Sequence, residues 1–197
     1  MRRRTLVCLM GPAAAGKSTL AKELERRHPE SFARVPVDYF FSPRPGGVPF
    51  DQYFAQPLEY DWAAVDAALA STGPRRTTPD CDFDQFTWRS PTGGRPIRRA
   101  PIYLLDGMRP HPGCSFLVVL ELDATTQHRR LVERDLRWGT RVADRCQRLA
   151  MAYAAGLREL PRPPDLRLSG TDTLATNAHA VHQALRDRYF LDDTASV

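Results

Sequence analysis

Lysine is almost missing from this chain. Of its 28 basic side chains only Lys17 and Lys22 are lysine, and the other 26 are arginine. That scarcity excludes the Asn-Lys-x-Asp motif with which GTPase switches read guanine, because neither lysine lies in such a sequence. Cysteine is sparse too. Cys8, Cys81, Cys114 and Cys146 stand far apart with no C-x-x-C pair, which argues against a disulfide framework or zinc site and for reduced thiols. No apolar run is long enough to span a bilayer. The apolar residues after Arg2-Arg3-Arg4 lead straight into a glycine-containing loop, so they read as a first strand, not a secretory leader. No Ser-His-Asp or His-Cys constellation stands out, and His28, His111, His128, His179 and His182 carry no pattern. The net charge of +5 is spread along the chain, with a local excess only at 129 to 148, so nucleic acid is not required as a partner. These absences leave the expectation of a cytoplasmic chain with no membrane contact, and a homo-oligomer stays open.

What is present begins at residue 11. Residues 11 to 18 read Gly-Pro-Ala-Ala-Ala-Gly-Lys-Ser, a full G-x-x-x-x-G-K-[ST] phosphate-binding loop. Gly11 and Gly16 let the backbone wrap closely, and Ala13, Ala14 and Ala15 add small, unobstructive residues. The compact ammonium of Lys17 suits the β/γ-phosphates of ATP better than a planar guanidinium would. Ser18 is placed to ligate Mg2+ through its hydroxyl, with Thr19 beside it. Leu6 to Met10 reads as a buried strand ahead of the loop, and Ser18 to Arg27 as a helix whose positive end faces the anion.

With 42% hydrophobic residues, the 197-residue chain can bury one proper core, and residues 1–197 read as a single domain. A second strand is expected over Phe32 to Val37, a helix capped by Asp61 through about Ala70, then apolar strands at Ile102 to Leu105 and Phe116 to Leu122. Charged helices follow from about Thr125 to Arg137 and from about Arg141 to Leu160. A short strand at Leu166 to Leu168 and a helix from Leu174 to Tyr189 close the pattern before a frayed end. Residues 39 to 60 and 71 to 100 are broken by proline and glycine and read as long substrate-binding insertions. Alternating strands and helices imply an α/β fold, a parallel sheet with helices on both faces and ligands at the strand ends. Met10, Val37, Leu105 and Leu122 would be those ends, making Lys17, Asp38 and Asp106 neighbours.

Asp38, at the mouth of strand two, is placed to accept the proton of an attacking hydroxyl, or else caps a turn. Asp106 ends an apolar strand where an acidic residue would hold Mg2+, or else forms a turn with Gly107. Arg130, Arg134, Arg137 and Arg141 recur at helical spacing. They form either a solvated, salt-bridged surface or an Arg-rich helical lid at about 134–145 that closes over ATP. Aromatics cluster between the acidic strand ends, among them Tyr39, Phe41, Phe83 and Phe86. Most read as packing, with two or three available as a stacking wall.

In order along the chain, Asp38-Tyr39-Phe40-Phe41, Tyr60-Asp61-Trp62, Leu104-Leu105-Asp106-Gly107 and Arg134-Asp135 with Trp138-Gly139-Thr140-Arg141 follow the phosphate loop. This series resembles the uridine kinase and phosphoribulokinase group of P-loop kinases. The resemblance implies Asp38 as general base, Lys17, Arg134 and Arg141 as catalytic cations, and Ser18 and Asp106 at the metal. It also implies Arg137 at the nucleotide and Tyr39, Phe41, Asp61, Asp82, Phe83, Phe86 and Arg109 at the acceptor. In one respect the chain departs from the group. Uridine and cytidine kinases carry Tyr-Asp-Phe-x-x-His, where this sequence has Cys81-Asp82-Phe83-Asp84-Gln85-Phe86. Losing the Tyr and His removes partners that would read a pyrimidine. The expectation is therefore an ATP- and Mg2+-dependent kinase of a nucleoside-like or sugar-like hydroxyl, with an acceptor other than uridine or cytidine. A nucleoside monophosphate kinase, for which Arg44, Arg75 and Arg76 offer phosphate partners, and a regulatory ATP-binding protein remain as alternatives.

Overall fold

The computed structural model describes residues 4–49, 52–53, 59–73, 75–138, 160 and 162–189. In chain order the elements are β1 (Thr5–Met10), α1 (Lys17–Arg27), β2 (Phe32–Pro36), a 3-10 turn (Val37–Phe40), α2 (Trp62–Ala70), β3 (Arg76–Asp82), β4 (Thr87–Ile97), β5 (Ile102–Gly107), β6 (Phe116–Glu121), α3 (Ala124–Trp138), β7 (Leu166–Ser169) and α4 (Leu174–Tyr189). β2, β5, β1, β6 and β7 pair in that spatial order, all in parallel. β1 is apolar at every buried position because it is covered on both faces.

The two-residue period of the strands sorts the core into two layers. Val7, Leu9, Phe32, Leu104 and Val118 face Leu20 and Leu24 of α1 and Val181 and Leu185 of α4. Cys8, Met10, Val35, Leu105 and Leu117 face the opposite way, toward Val65 and Leu69 of α2. Truncating a residue such as Leu69, buried in that second layer, to alanine would cost about 2–5 kcal/mol. This is the α/β sheet with helices on both faces that the strand–helix alternation implied. β1 lies between β5 on one side and β6 on the other, so the chain's excursions part at its C-terminal end, where the phosphate loop begins. Three strand ends shift slightly from expectation: β2 stops at Pro36, β5 continues through Asp106 to Gly107, and β6 stops at Glu121.

The expectation of a loop-like excursion over 71 to 100 is corrected. β3 and β4 form an antiparallel hairpin across most of it. Pro79, Pro91 and Pro96 obscured it, yet a two-stranded ribbon has only edge strands, where proline's missing N–H is tolerated. The register shifts around Pro79, and Gly94 permits the backbones to meet there: a Cβ at Gly94 would lie 2.1 Å from the Pro79 carbonyl oxygen. Residues 139–159, which include Arg141, most of the expected lid and nearly all of the helix expected from Arg141 to Leu160, lie outside the described residues, as do Phe50 and Phe54. Among the described residues no helix is long and apolar enough to cross a membrane.

Candidate functional site

The phosphate loop leaves β1 through Gly11, whose Cβ would stand 2.5 Å from the Leu120 carbonyl oxygen, so no larger residue fits beside β6. Ala14 adopts a left-handed conformation (φ 66°). Gly16 does the same at φ 99° as the N-cap of α1, and no side chain caps that helix end. The first N–H groups of α1 are thus left for an anion, with the positive end of the helix dipole behind them. Ala15 is buried in the turn, Ala13 is half-buried and Thr19 lies in the first turn of α1. The buried Lys17 ammonium bends over the loop and donates to the carbonyl oxygens of Gly11 (2.9 Å) and Pro12 (2.8 Å). Burial lowers its pKa, an effect that Asp38 and Asp106 oppose and Arg134 reinforces. Four residues, from the loop, the turn after β2, the end of β5 and α3, therefore share one electrostatic neighbourhood.

Asp106 lies opposite Leu9 of β1 and Pro36 of β2, which turns its carboxylate toward α1. It is 2% exposed and gripped by Arg34 of β2, whose Nε and Nη2 donate to its two oxygens at 3.1 and 2.9 Å. The Ser18 side chain also acts on it, favouring its charged form. Burial pushes the Asp106 carboxyl up, and Arg34 and Ser18 pull it back. Arg34 was absent from the expected site. Its one trace in the sequence is a charge inside the otherwise apolar Phe-Ala-Arg-Val-Pro strand.

Asp38 is exposed in the 3-10 turn just past β2. The Tyr60 hydroxyl donates to its Oδ1 at 2.8 Å and accepts from the Met108 N–H at 3.3 Å. Burial, and then the Asp38 charge, hold the Tyr60 pKa well above its usual value, so the phenol stays a donor. On α3, Arg130 Nη1 donates to the Ala14 carbonyl of the loop at 3.2 Å, and Arg134 follows one turn later. Arg137 is exposed, and Leu131 anchors the helix in the core.

The residues expected at the acceptor divide. Tyr39 stays beside Asp38, its hydroxyl accepting from Arg95 Nε (3.0 Å) and its ring meeting Phe83 edge-on at 5.1 Å. Phe83 is 41% exposed. Phe41, by contrast, is fully buried and packs on Phe83 and Phe86, which corrects its expected contact with an acceptor: it anchors the hairpin tip. Asp82 builds that tip, with Oδ1 accepting from the N–H groups of Asp84 and Gln85 (3.0 Å each) and Oδ2 from Arg89. Asp61 caps α2 by accepting from the Ala64 N–H at 2.8 Å, as its place in the sequence implied. Arg109 pairs with Glu59 at 3.0 Å.

No family model matches the chain. A guanylate kinase from Thermobifida fusca (strain YX) is 39% identical over an alignment of 83 positions that covers 39% of this chain and 41% of that enzyme. The match thus spans less than half of the curated relative's length. Among solved structures, a candidate fructose transport system kinase from Silicibacter sp. TM1040 superposes with a TM-score of 0.59 at 20% identity, over 85% of this chain and 90% of that one. A candidate uridine kinase from Bacillus stearothermophilus gives 0.51 at 16% identity with coverage of 85% and 90%.

Proposed function

On the P-loop kinase fold that the chain shares with these proteins, we propose that it is an ATP- and Mg2+-dependent phosphotransferase. It moves the γ-phosphoryl group to a hydroxyl of a small nucleoside-like or sugar-like acceptor. The observation that carries this reading is Asp38: an exposed carboxylate, held through one oxygen by Tyr60, within the electrostatic reach of the loop lysine. Tyr60 engages Oδ1 and leaves Oδ2 for an acceptor's hydroxyl proton.

The loop fits a nucleotide through the uncapped N-terminus of α1 and the ammonium of Lys17, which would exchange two loop carbonyls for phosphate oxygens. The adjoining Ser18 hydroxyl and Asp106 carboxylate are hard oxygen donors of the kind Mg2+ takes. Because Arg34 occupies both Asp106 oxygens, the carboxylate suits an ion held through water. Such an ion would neutralise charge on the phosphates. Arg130 and Arg134 supply further positive charge from the α3 side, and Arg137 and Arg141 would extend it.

The test is ADP release with Mg-ATP across nucleosides, riboside vitamins, sugars and monophosphates, with mass spectrometry of each mixture. Transfer that drops at least about a hundredfold in Asp38→Asn supports the assignment. Full turnover in that variant would overturn Asp38 as base, and ATP binding without transfer to any member would point to a regulatory nucleotide binder. A nucleoside monophosphate kinase is favoured only by the 83-residue guanylate kinase match. Against it, Arg76 is buried and donates to the Ser71 carbonyl and the Tyr103 hydroxyl, and Arg44 donates to the Gln85 and Val48 carbonyls.

A further inference from the structure

A cavity of about 300 Å3 opens between α1, the edge strand β2 and β4 of the hairpin. Its polar lining is Lys22, Glu25, Arg34, Tyr39 and Arg95, and Pro36 and Pro96 form apolar walls. Three of these polar residues tie it to the centre described above. Lys22 lies four residues after Ser18, about 6 Å along the α1 axis. Tyr39 follows Asp38 directly, with Cα atoms ~3.8 Å apart. Arg34 is the residue that grips Asp106.

The charges in this cavity do not cancel. Its one carboxylate, Glu25, already accepts from the Arg34 N–H (3.1 Å) and from Arg98 Nε (3.3 Å), a cation outside the lining. Arg34 has its own partner in Asp106. Arg95 uses Nε for the Tyr39 hydroxyl at 3.0 Å, and its guanidinium carbon lies 5.9 Å from that ring's centroid. Lys22, the other of the chain's two lysines, makes no hydrogen bond or ion pair among the described residues. An ammonium and most of a guanidinium therefore face the same space, with Glu25, whose Oε1 already accepts two bonds, as the one carboxylate in the lining.

We propose that this cavity holds an anionic substituent of the acceptor, a phosphomonoester or a carboxylate, with Lys22 and Arg95 as its partners, while the hydroxyl to be phosphorylated lies at Asp38. The proposal rests on the kinase reading and narrows its substrate class to sugar phosphates or sugar acids, as opposed to neutral nucleosides and sugars. Two cations here also offset the repulsion between such an acceptor and the nucleotide phosphates. Charge-assisted hydrogen bonds are about twice as strong as neutral ones, but both side chains are exposed and screened, so the gain is moderate.

Calorimetric titration of the full chain with ribose 5-phosphate, gluconate, ribose and inorganic phosphate tests the proposal without requiring turnover. Ribose 5-phosphate or gluconate should bind at least about tenfold more tightly than ribose and than inorganic phosphate, and which of the two wins identifies the anion. The Lys22→Gln/Arg95→Gln pair should abolish that advantage, and Lys22→Glu should reduce it further than Lys22→Gln alone. Both positions are exposed, so the substitutions leave the core untouched. Equal affinity for ribose, equal affinity for inorganic phosphate, no binding of either anion, or an advantage that survives in the double variant would overturn the proposal. The last outcome would locate the anion in the phosphate loop. ATP titration of the unmodified chain is read separately: its failure would sink the kinase reading whatever the acceptor result.

Discussion

Arg34→Met would break the ion pair at the heart of the site, and its cost can be worked from the structure. Asp106 is 2% exposed and Arg34 20%, with two short contacts between them. Removing one partner of a fully buried pair costs about 3–5 kcal/mol, chiefly because a charge is left buried and unpaired. The partial exposure of Arg34 admits water, so we take the lower end, about 3 kcal/mol. For a chain of this size that corresponds to a fall in Tm of about 6–12 °C. Asp106→Asn removes the charge itself and should cost less, about 1–2 kcal/mol. The double variant should show a coupling of at least about 1 kcal/mol. The loss should also depend on pH. Burial already raises the Asp106 carboxyl, and in Arg34→Met the opposing guanidinium is gone, so its folded pKa rises further above the unfolded value near ~3.9. A group raised in this way contributes its stability below the unfolded pKa and loses it as pH climbs through the folded one. The deficit of Arg34→Met should therefore be largest near neutrality and shrink toward about pH 4–5. Urea denaturation of both proteins followed by tryptophan fluorescence measures this directly. A deficit under about 0.5 kcal/mol, or one that stays constant between mild acid and neutrality, would refute the reasoning.

Tyr60→Phe deletes the hydroxyl that holds Asp38 and accepts from Met108, so stability should fall by about 1–2 kcal/mol. Turnover of the acceptor found in the panel should drop about tenfold, less than in Asp38→Asn, because Asp38, the proposed base, remains but is less well aimed. An unchanged kcat would show that Asp38 is positioned without Tyr60. Gly94→Ala drives a methyl into the Pro79 carbonyl and should cost about 1–3 kcal/mol. Hydrogen exchange should accelerate across β3 and β4 and leave β1 and β5 protected; uniform protection would contradict the close approach.

The phosphate loop, the order of strands and helices and the positions of Asp38 and Asp106 were legible in the sequence because each depends on contiguous residues. A loop motif, a buried apolar run and an N-cap at Asp61 are local patterns, and parallel strands joined by helices leave few arrangements open. The face a residue presents and the partner it meets are set by register between distant segments. Arg34 and Asp106 are 72 residues apart and pair because β2 and β5 are neighbours with Pro36 opposite Asp106. Tyr60 reaches back 22 residues to Asp38. The hairpin was hidden because its glycine and prolines speak locally for a loop, while the pairing that tolerates them is visible only in three dimensions. Asp82 and Phe41, from two separate segments that the resemblance put at the acceptor, show the same limit: one builds the hairpin turn and the other packs in the core. What the sequence determined by itself is thus an α/β chain with a G-x-x-x-x-G-K-[ST] loop, a carboxylate near the end of β5 and another just past β2. Tertiary structure alone decided how those carboxylates are held, and it brought Lys22 and Arg95 to one cavity, because cross-strand and interlayer contacts follow register and not adjacency along the chain.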